Sequence, residues 1–194
     1  MAATDLEYEQ SWVEDAQRDP PGFERLYNHY FSRVYAYVGY RVGRAHDCED
    51  LVADIFLKVV ESIGRFEWRH EGSFAAWLFR VAHNAVTDYH RRAHKENEPL
   101  PLEEAPNIQA HTLLPEDGLL QKEQFARLHA LLGTLTPRRQ EIITLKFFGG
   151  LRNLEIAAVL GLDERTVASN LCRGLRDLHQ KYLDEPVTGM EKSQ

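Results

Sequence analysis

The sequence predicts an all-α protein, two small helical domains joined by a flexible linker, and three observations carry that expectation. Proline is confined to Pro20–Pro21, the stretch Pro99–Pro115, Pro137 and Pro186, and the long segments between them carry apolar residues at helical spacing. Residues 93–117 combine Pro99, Pro101, Pro106 and Pro115 with many acids, the composition of a linker and domain boundary. Residues 151–176, LRNLEIAAVLGLDERTVASNLCRGLR, read as two short helices around a tight turn. A length of 194 residues suits one domain or two small ones.

Residues 1–20 are polar and acidic, so most of this segment is expected to be a mobile tail, with a short amphipathic helix around Trp12 as the alternative. From Gly22 onward Phe23, Leu26, Tyr27, Tyr30, Phe31, Val34, Tyr35 and Val38 recur at helical spacing, an aromatic stripe most simply read as core, and Gly43 stops the helix. A second helix is expected to open at Asp47 as N-cap, with Asp50 as a short-armed capping-box partner. Leu51, Ile55 and Val59 form its apolar stripe, while Asp50, Asp54, Lys58 and Glu61 form another face, either solvated or a docking surface for a basic partner helix. The loop GRFEWRHEGSF, residues 64–74, sets Phe66 and Trp68 among Arg65, Arg69 and His70. Such aromatics either stack on unpaired bases or fold back into the core.

A third helix is expected over residues 73–92, with Phe74, Trp77, Leu78, Val81 and Ala85 inward. Its basic end, Arg91 and Arg92, either complements the helix dipole or contacts phosphate. After the proline-rich stretch a fourth helix covers about Asp117–Gly133. The next has Thr136 as cap, Pro137 at its first position and Gln140 as capping-box partner, with Ile142, Ile143, Leu145 and Phe147 or Phe148 packing it. In the closing pair Ile156, Ala157 and Leu160 form an apolar face, Gly161 breaks the first helix, Asp163 caps the second, and Val167 and Leu171 face inward. This is a helix-turn-helix pattern, whose second helix normally enters the DNA major groove; any helical hairpin with glycine in its turn is the competing reading.

The formal charge of −7 argues against a simple DNA binder, but the charge is unevenly spread. Residues 1–24 carry seven acids against Arg18 alone, and residues 96–123 carry seven against Lys122 alone. Residues 65–95 instead hold six bases against three acids, and residues 138–181 eight against five. The expected folded parts are therefore basic, though weakly, which suggests that something else delivers the chain to DNA. Two distant cysteines, Cys48 and Cys172, suggest a reducing, cytoplasmic home and no disulfide framework. No signal peptide and no membrane insertion are expected. His90 and His94 stand at i, i+4 without acidic or cysteine partners nearby, so no metal site, no cofactor and no enzymatic activity are expected.

With these residues placed, the chain resembles a bacterial sigma factor of the extracytoplasmic-function (ECF) group of the sigma-70 family. The likeness rests on FERLYNHYFSRVYAYV, DCEDLVADIFLKVV and SFAAWLFRVAHNAVTDYHRR for region 2, and on LTPRRQEIITLKFFGGLRNLEIAAVLGLDERTVASNL for region 4. It implies an acidic tail over 1–21, region 2 over 22–95, a linker over 96–116, region 4 over 117–183 and a C-terminal tail over 184–194. It further implies that Glu49, Asp50, Leu51, Asp54 and Lys58 dock on the β′ clamp helices of RNA polymerase core, with region 4 on the β flap. Phe66, Trp68 and Arg69 would border the pocket for a flipped −10 base, and Asn84, Asp88, Arg91 and Arg92 would line the path of the unpaired strand. Arg165, Thr166, Ala168, Ser169, Asn170 and Arg173 would face the −35 element. Promoter DNA and an anti-sigma factor complete the implied partners.

Region 4 departs from the family's pattern in its recognition helix. Ala168 and Asn170 stand where basic residues are usual, and Arg165 replaces a usual glycine. Each lost cation weakens phosphate attraction, while Asn170 could pair with adenine and Arg173 with guanine. The implied −35 sequence therefore differs from the commonest one. The competing function is an ordinary helix-turn-helix regulator with residues 22–95 as a sensing or dimerising domain, which would bind its operator without polymerase.

Overall fold

A computed structural model of the chain describes residues 3–95 and 118–184, with side chains described over 8–93, except 20, and over 126–184. The expected linker at 96–116 and residues 185–194 of the expected C-terminal tail lie outside the described residues. Eight α-helices and no strand occur among the described residues: α1 (Ala3–Arg18), α2 (Phe23–Val42), α3 (Ala45–Ile63), α4 (Ser73–Lys95), α5 (Gly118–Gly133), α6 (Pro137–Phe147), α7 (Asn153–Leu160) and α8 (Glu164–Asp184). None is long and apolar enough to cross a membrane.

The helical periodicity translates into buried faces. On α2, Leu26, Tyr30, Val34, Tyr37 and Val38 are buried, and the helix stops at Gly43, whose φ of 84° is costly for any residue with a Cβ. On α3 the buried set is Cys48, Val52, Ile55, Phe56, Val59 and Ile63. On α4 it includes Phe74, Leu78, Phe79, Ala82 and Val86. In the second half α6 packs on α8, and Phe148 rather than Phe147 turns inward, its ring stacked on Tyr40 at 5.3 Å. The two halves share a core: α4 packs on α7 and α2 on α6, so that Ile142, Leu145, Leu151, Ile156 and Val167 are continuous with the apolar interior of α1–α4.

Several local expectations are corrected. The described part of residues 1–21 is helical and packed, not a mobile tail. Val13 is 1% exposed and Ala16 is buried with it, Trp12 meets His29 at 5.4 Å, and a 3₁₀ turn over Pro20–Gly22 leads into α2. Of the acids that made the segment look solvated, Glu14 and Asp15 lie on its outer side, where both pair with Arg18, and Asp15 with Arg25, while Glu9 is buried. Helix α3 opens two residues before Asp47, with Arg44 as N-cap; the Asp47 carboxylate accepts the Tyr89 hydroxyl at 2.6 Å instead. Thr136 makes no side-chain cap, and Gln140 donates to the Tyr40 hydroxyl at 2.8 Å. In both cases a tertiary partner won the side chain from a local one.

Because α1 is part of the core, Val13→Ala is expected to lower the unfolding free energy by about 2 kcal/mol, as large-to-small core changes do. A urea titration followed by circular dichroism checks this, and an unchanged midpoint would contradict the packing of α1.

Candidate nucleic-acid interface

The helix-turn-helix forms through the residues its sequence points to. Gly161 takes a left-handed conformation (φ 65°, ψ 39°), and the Leu162 N–H returns to the Ala157 carbonyl at 2.9 Å, closing α7. Asp163 caps α8 by accepting the Thr166 N–H at 2.7 Å and the Thr166 hydroxyl at 2.6 Å. Those hydrogen bonds hold its carboxyl below the usual carboxylate range. Val167 is fully buried and wedges the two helices together.

The outward face of α8 carries Arg165, Ala168, Cys172, Arg173 and Arg176, all exposed, with Thr166, Ser169 and Asn170 half-buried beside them. Arg176 lies three turns from Arg165 on the same face and was missed by motif matching, although helical spacing alone would have included it. Asn170 donates an amide N–H to the Thr166 carbonyl at 2.9 Å. One of the donors an adenine contact would use is thus engaged within the helix. Cys172 is exposed, whereas Cys48 is buried in α3 and burial pushes its thiol up to about 12, which makes it an inert filler.

A second feature forms where the loop after α3 meets α4. An open cleft of about 490 Å³ is lined by Arg65, Arg69, His70 and Arg80, with Phe66 and Trp77 as its apolar surfaces. The Phe66 ring packs edge-on against Phe74 at 5.5 Å and against Trp77 at 5.1 Å. Phe66 and Trp68 are both half-buried against the core. Both loop aromatics therefore fold back, as one of the two readings has it: Phe66, with Trp77 of α4, floors the cleft, whose rim carries Glu67 among its cations, and Trp68 is not among the residues that line it. Beyond the cleft, Arg80, Asn84, Asp88 and Arg91 continue along one face of α4, with Arg91 paired to Asp88 at 3.0 Å and Arg92 exposed alongside.

A third surface lies on α3. Glu49, Asp50, Asp54, Lys58 and Glu61 are exposed, Leu51 is half-buried against the core, and Leu57, 58% exposed, interrupts the acids. Asp50 lies 3.0 Å from His46.

The structure also brings together residues that sequence reasoning missed. Glu141 of α6 is 6% exposed, yet its carboxylate receives the Tyr37 hydroxyl at 2.6 Å, lies 3.0 Å from His83 Nδ1 and pairs with Arg41. Burial alone would raise its pKa; the His83 hydrogen bond, the Arg41 charge and the Tyr37 hydrogen bond outweigh it and hold the carboxyl below its ordinary value. Arg33 donates to the Gly149 carbonyl at 2.8 Å, and Arg80 to the Ala158 carbonyl. Arg152 donates to the Glu71 carbonyl at 2.9 Å and to the Glu155 carboxylate at 2.7 Å. Gly72, at φ 78°, lies so close to Arg152 and Glu155 that a Cβ there would collide with both. Ala158 forms a wall of the cleft, so α7 stands directly beside the loop. Among the described residues no group of three metal-ligating side chains occurs; the His94 side chain lies outside them.

Residues 26–96 match the family model for sigma-70 region 2, and residues 125–178 match that for sigma-70 region 4. Two relatives named ECF RNA polymerase sigma factors carry the likeness across most of the chain. BldN of Streptomyces coelicolor is 34% identical over 176 residues, and SigE of Mycolicibacterium smegmatis is 33% identical over 170. The chain belongs to the ECF sigma-70 family. The matches cover 89% and 85% of this sigma-family chain, which spans 65% and 64% of the length of those two relatives. SigX of Bacillus subtilis is 27% identical over 85% of this chain and 87% of its own. In fold, the chain resembles CnrH, solved with the cytosolic domain of CnrY, at a TM-score of 0.70 and 21% identity over 92% of this chain and 99% of that one. It also resembles the sigma factor RpoE of Bartonella quintana, solved with the anti-sigma factor NepR, at a TM-score of 0.63 and 20% identity over 84% and 98% of the two chains.

Replacing Glu141 by Ala strands the half-buried Arg41 and is expected to weaken packing between the halves by about 3 kcal/mol. Small-angle scattering of the full chain should then show a larger radius of gyration than wild type. The pH dependence has a defined sign. Because the folded carboxyl titrates below its ordinary value of 4.5, its contribution is fully present above that pH and is lost as pH falls through the lower folded value. Glu9 opposes this on the same limb, since burial raises its pKa and the fold favours its protonated form. The difference between wild type and Glu141→Ala in acid unfolding isolates the Glu141 part, and superimposable curves would refute it.

Proposed function

We propose that the chain is a promoter-specificity subunit. It binds RNA polymerase core, reads a −35 element with α8 and a −10 element with the loop–α4 surface, and promotes strand opening. The observation that carries this is the pairing, in one chain, of an outward cationic helix-turn-helix face with a cleft of aromatic floor and cationic rim. A duplex reader needs the first and an unpaired-strand reader the second. The chain makes no bond itself; catalysis belongs to the polymerase, and it acts in the cytoplasm, where core enzyme and DNA meet.

The residues divide accordingly. Arg165, Arg173 and Arg176 contact the −35 duplex, with Thr166, Ala168, Ser169 and Asn170 at the base edges. Phe66, Trp68 and Arg69 border the flipped −10 base, and Asn84, Asp88, Arg91 and Arg92 guide the strand. Glu49, Asp50, Leu51, Asp54 and Lys58 dock on the β′ clamp helices, while region 4 meets the β flap. The domain bounds of 22–95 and 117–183 and an anti-sigma partner belong to the same reading. Elements named −35 and −10 lie roughly 25 base pairs, or about 85 Å, apart along B-DNA. The two halves, which share a core here, separate to engage both.

In-vitro transcription with purified core on a genomic promoter library is expected to give initiation that depends on this chain, with little DNA binding by the chain alone. Direct DNA binding with no core-dependent initiation would favour the regulator instead. Ala168→Arg should steepen the salt dependence of −35 duplex binding by the holoenzyme by about one in log–log slope and shift its base preference. A base-preference profile identical to the parent's would remove Ala168 from sequence reading.

A further inference from the structure

Helix α1 lies outside the residues matched to region 2, which begin at Leu26, yet its Gln17 reaches the loop that forms the cleft. At the entry, the single amide nitrogen of Gln17 donates to the Ile63 carbonyl at 2.9 Å and to the Phe66 carbonyl at 2.7 Å. Ile63 is the last residue of α3, its carbonyl also accepts the Phe66 N–H at 3.0 Å, and Phe66 is the residue whose ring floors the cleft. On the same helix, the buried Glu9 carboxylate accepts the Tyr30 hydroxyl of α2. The loop's own backbone bonds are turn bonds near its ends, Arg65 to Ser62, Phe66 to Ile63 and Ser73 to His70. Val13 and Ala16, in the core, fix α1 against α2 and α3 and so give the Gln17 grip a rigid base.

We propose that α1 is part of the −10 reading device: it ties down the start of residues 64–72, and Gln17 is a positioning residue for the flipped-base cleft. This rests on the −10 reading of the loop proposed above. Gln17 touches no DNA in this scheme. It fixes the main chain at Phe66, and through it the floor and the adjacent Arg65 and Arg69. A wandering main chain here would spread the cleft over several shapes and lower the fraction competent to hold one particular base.

The test uses the full chain, free and assembled with core. Gln17→Leu removes both donors at similar volume, and Gln17→Lys keeps N–H donors on a long side chain. In the free chain, Gln17→Leu should speed amide hydrogen exchange across 64–72 while exchange in α6–α8 stays unchanged. In the holoenzyme, it should weaken binding of a single-stranded oligonucleotide carrying the preferred −10 base by about tenfold, as loss of two hydrogen bonds of ordinary strength allows. Oligonucleotides with another base there should bind as before, so that discrimination narrows. Gln17→Lys should restore much of both effects, and competition for core should be unaltered in either variant. Unchanged exchange, or faster exchange with undiminished base discrimination, would overturn the proposal, as would a loss of core binding in parallel with −10 binding. If wild-type holoenzyme itself shows no −10 base preference, the reading of the loop fails first, and the two failures are thereby told apart.

Discussion

The arrangement of the described residues depends on one buried carboxylate. Glu141 projects from the second half of the chain into a site built by the first, where Tyr37, Arg41 and His83 converge on it. An ionised group out of water costs several kcal/mol unless its lone pairs are filled, and these are filled only when α2 and α4 stand in register with α6. The same requirement fixes the neighbouring contacts. Tyr40 stacks on Phe148 and receives Gln140, and Arg33 reaches Gly149. Shared apolar burial brings the halves together; the carboxylate decides how they sit.

That register brings the cleft and the helix-turn-helix side by side. Helix α7 serves two environments at once: its inner face closes the wedge with Val167, and its outer edge walls the cleft through Ala158. The loop before α4 is accordingly held from two directions, by α1 through Gln17, and by the start of α7 through Arg152. The face of α8 that bears Arg165, Arg173 and Arg176 points away from this junction and stays open to solvent.

What the sequence made legible was what depends on near neighbours. Gly43, Gly161 and Asp163 punctuate helices where a glycine or a short acid is locally required, and the apolar spacing of α2, α3 and α4 marks their buried faces only in part: Leu26, Tyr30, Val34 and Val38 are buried as expected, Tyr27 and Phe31 are exposed, and Tyr37, Phe79 and Ala82 are buried in their place. What it hid depends on distant partners. Arg33 and Gly149 lie 116 positions apart, and Tyr37 and Glu141 lie 104 apart, so no local pattern marks them. Helix α1 was misread because its acids dominate its composition, while its two buried apolar residues, Val13 and Ala16, are small and its third buried residue, Glu9, is itself an acid. Asp47 and Gln140 looked like capping residues because their spacing allows it; Tyr89 and Tyr40 claim them instead. The aromatic loop left two readings open because composition cannot say which way a ring turns.

Three of the arginines that join the halves share a habit. Arg33, Arg80 and Arg152 each end on a main-chain carbonyl, those of Gly149, Ala158 and Glu71 respectively. A carbonyl is the one acceptor that every amino acid supplies. Residue 158 could therefore drift among side chains that fit its position without costing Arg80 its partner, whereas a change at residue 71 would leave Arg152 the carbonyl and cost it the Glu71 carboxylate at 3.4 Å. The seam reads the path of the opposite backbone and is largely indifferent to its letters. Paired substitutions across those contacts are for that reason a poor guide to the seam, and Glu141, held side chain to side chain as Gln140 is on Tyr40, is a place where a change on one half demands an answer from the other.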